Sequence, residues 1–197
     1  MLKIRHYNPS DEDDWINCHH FAYYNSIYYD ELVKVKPRYE TPSIELIGVY
    51  KEKIVGILDI EIEQEPGQFC FNNNERGGMI SVVGVHPQYR RKKIATRLIE
   101  KAYKLISENY AIHRLEIWVR DDIGIKLWLE KLLFQEIHRF YEVLLTTDFF
   151  DKYAIDLPYE ITPISLMGII ESKNFSQLTQ KHPPESTFPI IVYEKLL

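Results

Sequence analysis

Five basic side chains lie within eight residues of this sequence, directly after a short apolar run. They are Arg90, Arg91, Lys92, Lys93 and Arg97. The apolar run before them, residues 79–85, is typical of a strand, and apolar residues from 94 onwards recur at helical spacing. Free N–H groups and the positive dipole end at a helix start attract anions. The segment therefore indicates a phosphate or pyrophosphate site where this helix begins.

The charge of this segment contrasts with that of the whole chain. The 197 residues contain 24 Lys and Arg against 29 Asp and Glu, a net charge of −5. Without the five basic residues, 19 basic and 29 acidic residues remain, which is −10. Because nucleic acids need a broad basic surface, an acidic body with one cationic helix start favours a compact polyphosphate and no nucleic-acid partner. Nucleic-acid binding through residues 90–97, or a plain solvated helix start, are the alternatives.

Composition limits the cellular setting and the metal chemistry. Cys18 and Cys70 are too few for a disulfide framework and favour a reducing compartment. No apolar run approaches a membrane span, and the first residues lack the apolar core of a secretory signal. We therefore expect a cytoplasmic protein without a membrane partner. The Cys and His residues lack metal-ligand spacing, since His19 and His20 are adjacent, so no metal is expected.

The elements before the basic segment predict a helix and a hairpin. Residues 2–7 indicate a first strand, and the helical pattern of residues 11–25 begins at Ser10, whose hydroxyl is expected to cap it. Residues 44–50 and 58–63 form a predicted hairpin, and the second strand alternates apolar with acidic residues as a half-buried strand does. Residues 64–78 are rich in Gly, Asn, Glu and Pro and predict a loop.

The elements after the basic segment alternate strand with helix. The patterns predict a helix over 91–108, a strand over 113–119, a helix over 122–133, a strand over 134–145 and a closing strand over 189–197. A further helix is expected near 163–171. The alternation predicts an α/β (α+β) fold, in which a mixed central sheet of six to seven strands is flanked by about four helices.

Residues 85–98 resemble the acetyl-CoA-binding motif of the GNAT superfamily of N-acetyltransferases, V-x-P-x-Y-R-G-K-G-I-G/A-x-x-L. The residues in register are Val85, Pro87, Tyr89, Arg90, Lys92, Ile94, Ala95 and Leu98. Lys93 replaces a glycine that normally lets the backbone approach the pyrophosphate. A lysine there is expected to be accommodated by a helical backbone with its side chain turned outward. The order of predicted elements over residues 1–146 also resembles the family.

A second family landmark, N-x-x-A-x-x-L-Y-x-x-x-G-F, is similar to residues 122–134. Asp122 stands where Asn is usual, and Leu133 where Gly is usual. Leu129 stands where the family often has a tyrosine whose hydroxyl protonates the leaving CoA thiolate. Leucine has no proton to give, so another donor or water is needed. Tyr141, on the strand after Phe134, is the candidate replacement, and a packed strand aromatic is the alternative interpretation.

The resemblance implies a single GNAT-like domain over residues 1–197, with an insertion or irregular segment over 147–187. It implies acetyl-CoA as co-substrate, held in a splayed strand pair. The cofactor-binding residues carried over are Val83, Gly84, Val85, Arg90, Arg91, Lys92, Lys93, Ile94, Ala95, Thr96 and Asp122. The main chain of Val83 and Val85 is expected to hold the pantetheine arm, and a backbone N–H of that strand to polarise the thioester carbonyl.

The implied activity is direct transfer of the acetyl group to an amine of unknown identity, on a small molecule or a peptide. Glu61 is the candidate general base, and a solvent-facing sheet surface is the alternative for it. By the same resemblance, some of the five aromatics between Phe21 and Tyr29 are expected to line the acceptor pocket, and packing of the first helix on the sheet or a dimer surface are the alternatives. A CoA-binding module without catalysis is the alternative function, and homodimerisation through the last strand is left open.

Overall fold

The computed structural model describes residues 1–146, 165–171 and 187–197. Its elements are β1 (Lys3–His6), α1 (Glu12–Tyr23), β2 (Ser43–Tyr50), β3 (Lys53–Ile62), β4 (Gly78–Val85), α2 (Ile94–Asn109), β5 (Arg114–Arg120), α3 (Ile123–Lys131), β6 (Gln135–Thr146), β7 (Ser165–Glu171) and β8 (Thr187–Leu196). Three short 3₁₀ turns cover Pro9–Asp11, Tyr29–Glu31 and Pro87–Tyr89. No helix of these described segments is long and apolar enough to cross a membrane.

The strands form one mixed sheet in the order β1-β2-β3-β4-β5-β8-β6-β7. Every neighbouring pair is antiparallel except β4 and β5, which run parallel on either side of α2 in sequence. The mixed α/β sheet expected from the sequence is therefore confirmed, and the described residues add one strand to the six or seven expected. The last strand, β8, inserts between β5 and β6 and completes the sheet.

The eighth strand is β7, and it corrects the helix expected near 163–171. Residues 165–171 pair antiparallel with β6, from Thr146 opposite Ser165 to Phe140 opposite Glu171. A short apolar run of seven residues fits either conformation by periodicity, and the neighbouring strand edge decides between them. The rest of the segment expected to be irregular, 147–164 and 172–186, lies outside the described residues.

The helices cover the two faces of the sheet with separate apolar clusters. On one face α2 and α3 bury the larger cluster, in which Leu98, Ala102 and Leu129 are fully buried against strand residues such as Leu58. On the other face α1 buries a smaller cluster around Trp15 and Cys18. Because both faces are covered, β3 and β5 are buried along almost their whole length.

This double coverage corrects the half-buried strand expected over residues 58–63. Leu58, Ile60 and Ile62 face α2 as the alternation predicts, but Asp59 and Glu63 on the opposite face are also buried. Asp59 is paired with the Lys36 ammonium at 2.9 Å and accepts a hydrogen bond from the Tyr39 hydroxyl at 3.0 Å. The acidic residues of this strand are therefore satisfied by buried partners instead of solvent.

The first helix begins differently from the sequence prediction. Asn8, instead of Ser10, caps the opening turn: its side chain accepts from the N–H of Ser10, and the Asp11 carboxylate accepts from the N–H of Asn8. Asp11 also receives two hydrogen bonds from the guanidinium of Arg5 at 2.6 and 2.7 Å. This reciprocal box fixes the entry of the chain into α1.

A second buried charged group joins the loop between β3 and β4 to the sheet. Arg114 is fully buried and pairs with Glu116 at 2.6 Å and Glu63 at 3.4 Å. Each carboxylate also accepts hydrogen bonds from the loop backbone: Glu63 from Phe69, Cys70 and Gly77, and Glu116 from Phe71 and Asn72. Although burial opposes it, these N–H groups and Arg114 hold the pKa of Glu63 below its ordinary value.

Replacing Leu133 by glycine should stabilise the protein by about 1 kcal/mol, a rise of about 2–4 °C in Tm. Leu133 follows α3, is 74% exposed and has φ of 66°, the left-handed region that disfavours a side chain. Glycine relieves that penalty and loses only part of the gain to chain entropy. Leu133→Ala is the matched control, because alanine keeps the backbone penalty and should leave Tm unchanged. Equal melting of both variants in a thermal unfolding experiment would contradict the prediction.

Candidate functional site

Strands β4 and β5 separate shortly after they meet, which opens a gap in the sheet. Their parallel pairing covers only Gly78 with Leu115 and Met79 with Glu116. Val83 and Arg120 each lie four residues beyond the last pair, at the same level of the two strands. On its other side β4 pairs with β3 across a register shift at Ser81, a β-bulge that re-aims the following residues. The splayed strand pair leaves backbone groups of both strands without a ladder partner.

The gap leads to the start of α2, and the backbone there has an unusual conformation. Lys93, at the N-cap, has φ of 59° and Arg91 has φ of 64°, both in the left-handed region. These are the two positions at which the chain departs from the glycines of the motif. The helical backbone expected for Lys93 is therefore wrong, although its side chain is exposed as expected. Glycine adopts the left-handed conformation most easily, and this chain adopts it at both positions without glycine.

No side chain caps the N-terminus of α2, and its first turn contains no acid. The first N–H groups of this 16-residue helix, on Ile94, Ala95 and Thr96, therefore keep their capacity to bind an anion. Arg91, Lys92, Lys93 and Arg97 are exposed around them. The arrangement combines backbone N–H donors, a helix dipole and exposed basic side chains, which are the groups that bind a polyphosphate.

Close packing seats this helix start on the sheet. A Cβ on Gly56 would lie 2.5 Å from the Cγ2 atom of Ile94, so glycine at this position of β3 lets α2 approach the strand. From the other side, the Trp128 indole N–H of α3 donates to the Thr96 hydroxyl at 3.3 Å. Asp122 caps α3 by accepting from the N–H of Ile125 at 2.9 Å. Thr96 and Asp122 thus have structural partners already.

Arg90 differs from the other basic residues of the segment because its guanidinium is engaged. It donates to the Ala22 carbonyl oxygen of α1 at 2.8 Å and to the Val85 carbonyl oxygen at 3.2 Å. Gly84 supports the same contact, since a Cβ there would lie 3.1 Å from the Cβ of Ala22. Arg90 and Gly84 therefore hold the end of α1 against the end of β4.

Two tyrosines reach the gap from the α1 side. The hydroxyl of Tyr23, the last residue of α1, donates to the Val83 carbonyl oxygen at 3.4 Å. The hydroxyl of Tyr28 accepts a hydrogen bond from the backbone N–H of Arg120 at 2.9 Å. Their ring centroids are 5.8 Å apart. Each phenol therefore binds a backbone group on one side of the gap, at the level where the parallel ladder is open.

The side chain of Arg120 fixes the segment that carries Tyr28. Its guanidinium is almost fully buried and pairs with Asp30 at 2.6 Å, Glu142 at 3.0 Å and Glu31 at 3.7 Å. Glu31 is the accessible member, with 46% of its side chain exposed. Burial, together with the charges of Asp30 and Glu142, raises the pKa of Glu31 to about 7 against the opposing effect of Arg120. A carboxylate with this pKa can accept a proton at neutral pH.

The sequence model of the Acetyltransferase (GNAT) family matches residues 7–134, well over half of the chain. The chain belongs to the GNAT acetyltransferase family. Membership implies acetyl-CoA as co-substrate, and the open strand pair and uncapped helix start lie inside the matched range. The acetyltransferase activity and the identity of the family expected from the sequence are therefore confirmed. No protein of curated function matches the sequence.

Solved GNAT structures share the fold at low sequence identity. The ribosomal-protein-S18-alanine N-acetyltransferase of Escherichia coli aligns with a TM-score of 0.59 at 11% identity, covering 100% of this chain and 94% of its own. The ribosomal-protein-alanine N-acetyltransferase of Brucella melitensis aligns with a TM-score of 0.57 at 14% identity, covering 99% of each chain. A GNAT acetyltransferase of Staphylococcus aureus aligns with a TM-score of 0.58 at 12% identity, covering 100% and 99%. The GNAT-like fold is thus confirmed.

The two catalytic candidates predicted from the sequence, Glu61 and Tyr141, lie apart from each other in this acetyltransferase. Glu61 is half-buried on β3 opposite Met79, and its carboxylate accepts from the Ser81 hydroxyl at 2.6 Å. That position is four residues before Val83 on β4, roughly 13 Å along the strand. Tyr141 lies on β6, opposite Pro189 of β8 and next to Glu142, which contacts Arg120. Because successive strand residues face opposite sides, Tyr141 points to the other face of the sheet.

Leu129, which stands at the position of the family tyrosine, does not reach the gap in this chain. Leu129 is fully buried in the larger apolar cluster, where α3 packs on the sheet. The phenols at the gap instead come from α1 and the turn after it, which the sequence treats only as part of an aromatic-rich stretch. Glu31 and Arg120 were missed altogether, since Arg120 ends an apolar strand and Glu31 stands in a short turn. The one available signal was the cluster of tyrosines beside Asp30 and Glu31.

Proposed function

We propose that this GNAT acetyltransferase transfers the acetyl group of acetyl-CoA directly to a primary amine at the gap between β4 and β5. The observation that carries the proposal is the continuity of the gap with the uncapped start of α2. One end offers N–H donors and cations for a pyrophosphate, and the other offers unpaired strand backbone for an extended amide chain. Acetyl-CoA has both parts in that order.

Within this proposal the donor is held mostly by main chain. The residues proposed to contact it are Val83, Gly84, Val85, Arg91, Lys92, Lys93, Ile94, Ala95 and Thr96, while Arg90 and Asp122 position the elements around them. The Val83 carbonyl oxygen accepts a hydrogen bond from Tyr23 at 3.4 Å, and its second lone pair can accept from a pantetheine amide. A backbone N–H next to the bulge at Ser81 supplies the donor to the thioester oxygen, as in an oxyanion hole.

The amine acceptor must lose a proton, and Glu31 is the proposed base. Its carboxylate is accessible and lies 3.7 Å from the guanidinium of Arg120, the residue whose backbone borders the gap. Its pKa is raised to about 7. Glu61 remains the second candidate, because it is half-buried on the same side of the sheet. Its carboxylate lies beside the bulge, where the Ser81 hydroxyl donates to it at 2.6 Å, so Glu61 is tested beside Glu31.

The acceptor is proposed to enter over the exposed aromatic side chains at the end of α1. Phe21, Tyr24 and Tyr29 are more than half exposed there, whereas Tyr23 and Tyr28 are turned into the gap. Two structural neighbours are named as alanine N-acetyltransferases of ribosomal proteins, so peptide amines belong in the test beside small amines. A cytoplasmic location, homodimerisation and a lack of nucleic-acid, membrane and metal partners remain predictions from the sequence.

Calorimetric titration with acetyl-CoA, followed by a thiol-release assay over a panel of amines, tests the proposal. The panel contains aliphatic and aromatic small amines and peptides with free N-termini, including alanine. We expect acetyl-CoA to bind and at least one amine to release CoA thiol in step with acetylated product, shown by mass spectrometry. A steeply salt-dependent affinity for DNA that acetyl-CoA does not compete with would support the nucleic-acid alternative instead. An absence of acetyl-CoA binding would overturn the proposal.

A further inference from the structure

We propose that Tyr28 is the proton donor to the departing CoA thiolate, in place of the family tyrosine that is Leu129 in this chain. The inference rests on the proposed function, because it concerns the same gap between β4 and β5. It is carried by the position of the Tyr28 hydroxyl on the β5 side of the gap, at Arg120. Leu129 has neither a hydroxyl nor access to the gap, since it is fully buried.

The register of β4 and β5 indicates where the thioester sulfur of bound acetyl-CoA would lie. Arg120 and Val83 are both four residues beyond the last β4–β5 pair, so a continued parallel ladder would make them neighbours. A thioester bound along the β4 backbone at Val83 therefore faces Arg120 across the gap. The Tyr28 hydroxyl occupies that side, and the Tyr23 hydroxyl occupies the β4 side at Val83.

The hydrogen bonds of the two phenols give them different capacities. Tyr23 donates its proton to the Val83 carbonyl oxygen, so that proton is engaged. Tyr28 accepts from the Arg120 N–H, which leaves its own O–H proton free among the described residues. The N–H polarises the phenol toward proton release, while burial keeps the pKa of Tyr28 above its ordinary value, so the hydroxyl is protonated before the reaction.

The side chain of Arg120, on β5, joins the turn that carries Tyr28 to β6. Its guanidinium donates to the Ile27 carbonyl oxygen, pairs with Asp30 on the turn, and lies 5.6 Å from the Tyr28 ring centroid. The same guanidinium is paired with Glu142 on β6. The segment that carries Tyr28 is therefore fixed to the sheet at the β5 end, and the phenol needs no movement of α3 to reach the gap.

Tyr28 and Glu31, three residues apart in the chain, account for both proton transfers of the reaction. The amine nitrogen attacks the thioester carbon, the C–S bond breaks, and the electron pair of that bond leaves on sulfur. The sulfur takes the proton of the Tyr28 hydroxyl, while the amine nitrogen gives its proton to the Glu31 carboxylate. Protonated Glu31 then returns a proton to the Tyr28 phenolate, directly or through solvent, so the net transfer is from amine to thiol.

The first test measures the thiol of bound CoA and requires no amine acceptor. The rate of alkylation of protein-bound CoA by iodoacetamide, followed against pH by chromatography of CoA, gives the pKa of the bound thiol. A phenol that donates to sulfur stabilises the thiolate, so Tyr28→Phe should raise this pKa by about one unit or more with unchanged CoA affinity. Tyr103→Phe removes a buried hydroxyl on α2 that has no hydrogen-bond partner among the described residues, and it should leave the value unchanged.

The second test uses turnover with the best amine of the panel. We expect Tyr28→Phe to lower kcat by about 100-fold or more and to leave the acetyl-CoA affinity intact. Replacing Tyr28 by 3,5-difluorotyrosine keeps the hydroxyl but acidifies it, so the alkaline limb of kcat should move to lower pH, which a purely structural role would not cause. Full kcat in Tyr28→Phe, or an unshifted thiol pKa, overturns the inference. If no amine is acetylated, the thiol measurement still decides on Tyr28 while the proposed transfer fails.

Discussion

Replacing Glu31 by glutamine should lower kcat/KM by about 100-fold or more, because the amide cannot accept the proton of the amine. In the wild type the pKa of Glu31 is raised to about 7, chiefly by burial. Ionisation of the amine itself causes a rise of kcat/KM at higher pH in wild type and variant alike. The active form of Glu31 is the carboxylate, so the wild type should show a further limb that rises through pH of about 7. Glu31→Gln should lose this limb. The measurement is the pH profile of thiol release at saturating acetyl-CoA with one amine of the panel.

Two further variants make this result specific. Glu61→Gln tests the second candidate base, and a larger loss of rate there than in Glu31→Gln would transfer the role to Glu61. Glu108→Gln, at an exposed i,i+4 pair with Lys104 on α2, is the matched control and should keep both rate and profile. Since the folded-state pKa of Glu31 lies above its unfolded value, ionisation opposes folding above pH 7. Glu31→Gln should therefore melt no lower than the wild type there.

Replacing Arg114 by methionine should reduce the free energy of unfolding by about 3–5 kcal/mol at pH 7. The guanidinium is fully buried, and its loss leaves Glu63 and Glu116 as buried carboxylates without their cation. Methionine retains most of the volume, so the cost comes from charge instead of a cavity. Urea unfolding followed by circular dichroism measures the change. The loss should shrink at pH 5, because without Arg114 the pKa of Glu63 is no longer held as low and this carboxylate binds a proton more readily.

The comparison for Arg114 is an ion pair of similar geometry near the surface. Arg5 contacts Asp11 at 2.6 Å, but its side chain is 37% exposed, so Arg5→Met should cost about 1 kcal/mol or less. Adding Glu116→Gln to Arg114→Met should recover part of the stability, because it removes one stranded charge. A loss in Arg114→Met no greater than in Arg5→Met, or no recovery in the double variant, would contradict this explanation.

The family and most elements follow from local patterns in the sequence. The apolar run, the basic residues and the helical spacing over residues 79–106 are all short-range features, and the structure places β4 and α2 at these positions. The helix expected at 163–171 is wrong because a seven-residue apolar run adopts the conformation that its neighbour offers, and β6 offers a strand edge. The exposed acidic face expected on β3 is wrong for a related reason, since Lys36 and α1 cover it.

Arg91, Lys93 and Leu133 have positive φ angles, which the sequence motifs alone did not predict for these residue types. Lys93 and Leu133 stand where the family motifs have glycine, and the backbone at both is in the left-handed conformation that glycine favours. Each of these turns therefore carries a backbone penalty that glycine would remove.

The sequence by itself predicted the anion site and the strand that leads to it, and it showed that position 129 has no phenol. Each depends on residues close together in the chain, for which spacing is sufficient. Only the tertiary structure decided that the Tyr28 hydroxyl lies at the Arg120 backbone and that Glu31 lies near the Arg120 guanidinium, because Arg120 follows about 90 residues later in the chain. Contacts over such separations leave no periodic signal. The partial burial and the neighbouring charges that raise the pKa of Glu31 exist only once the turn has packed against β5 and β6.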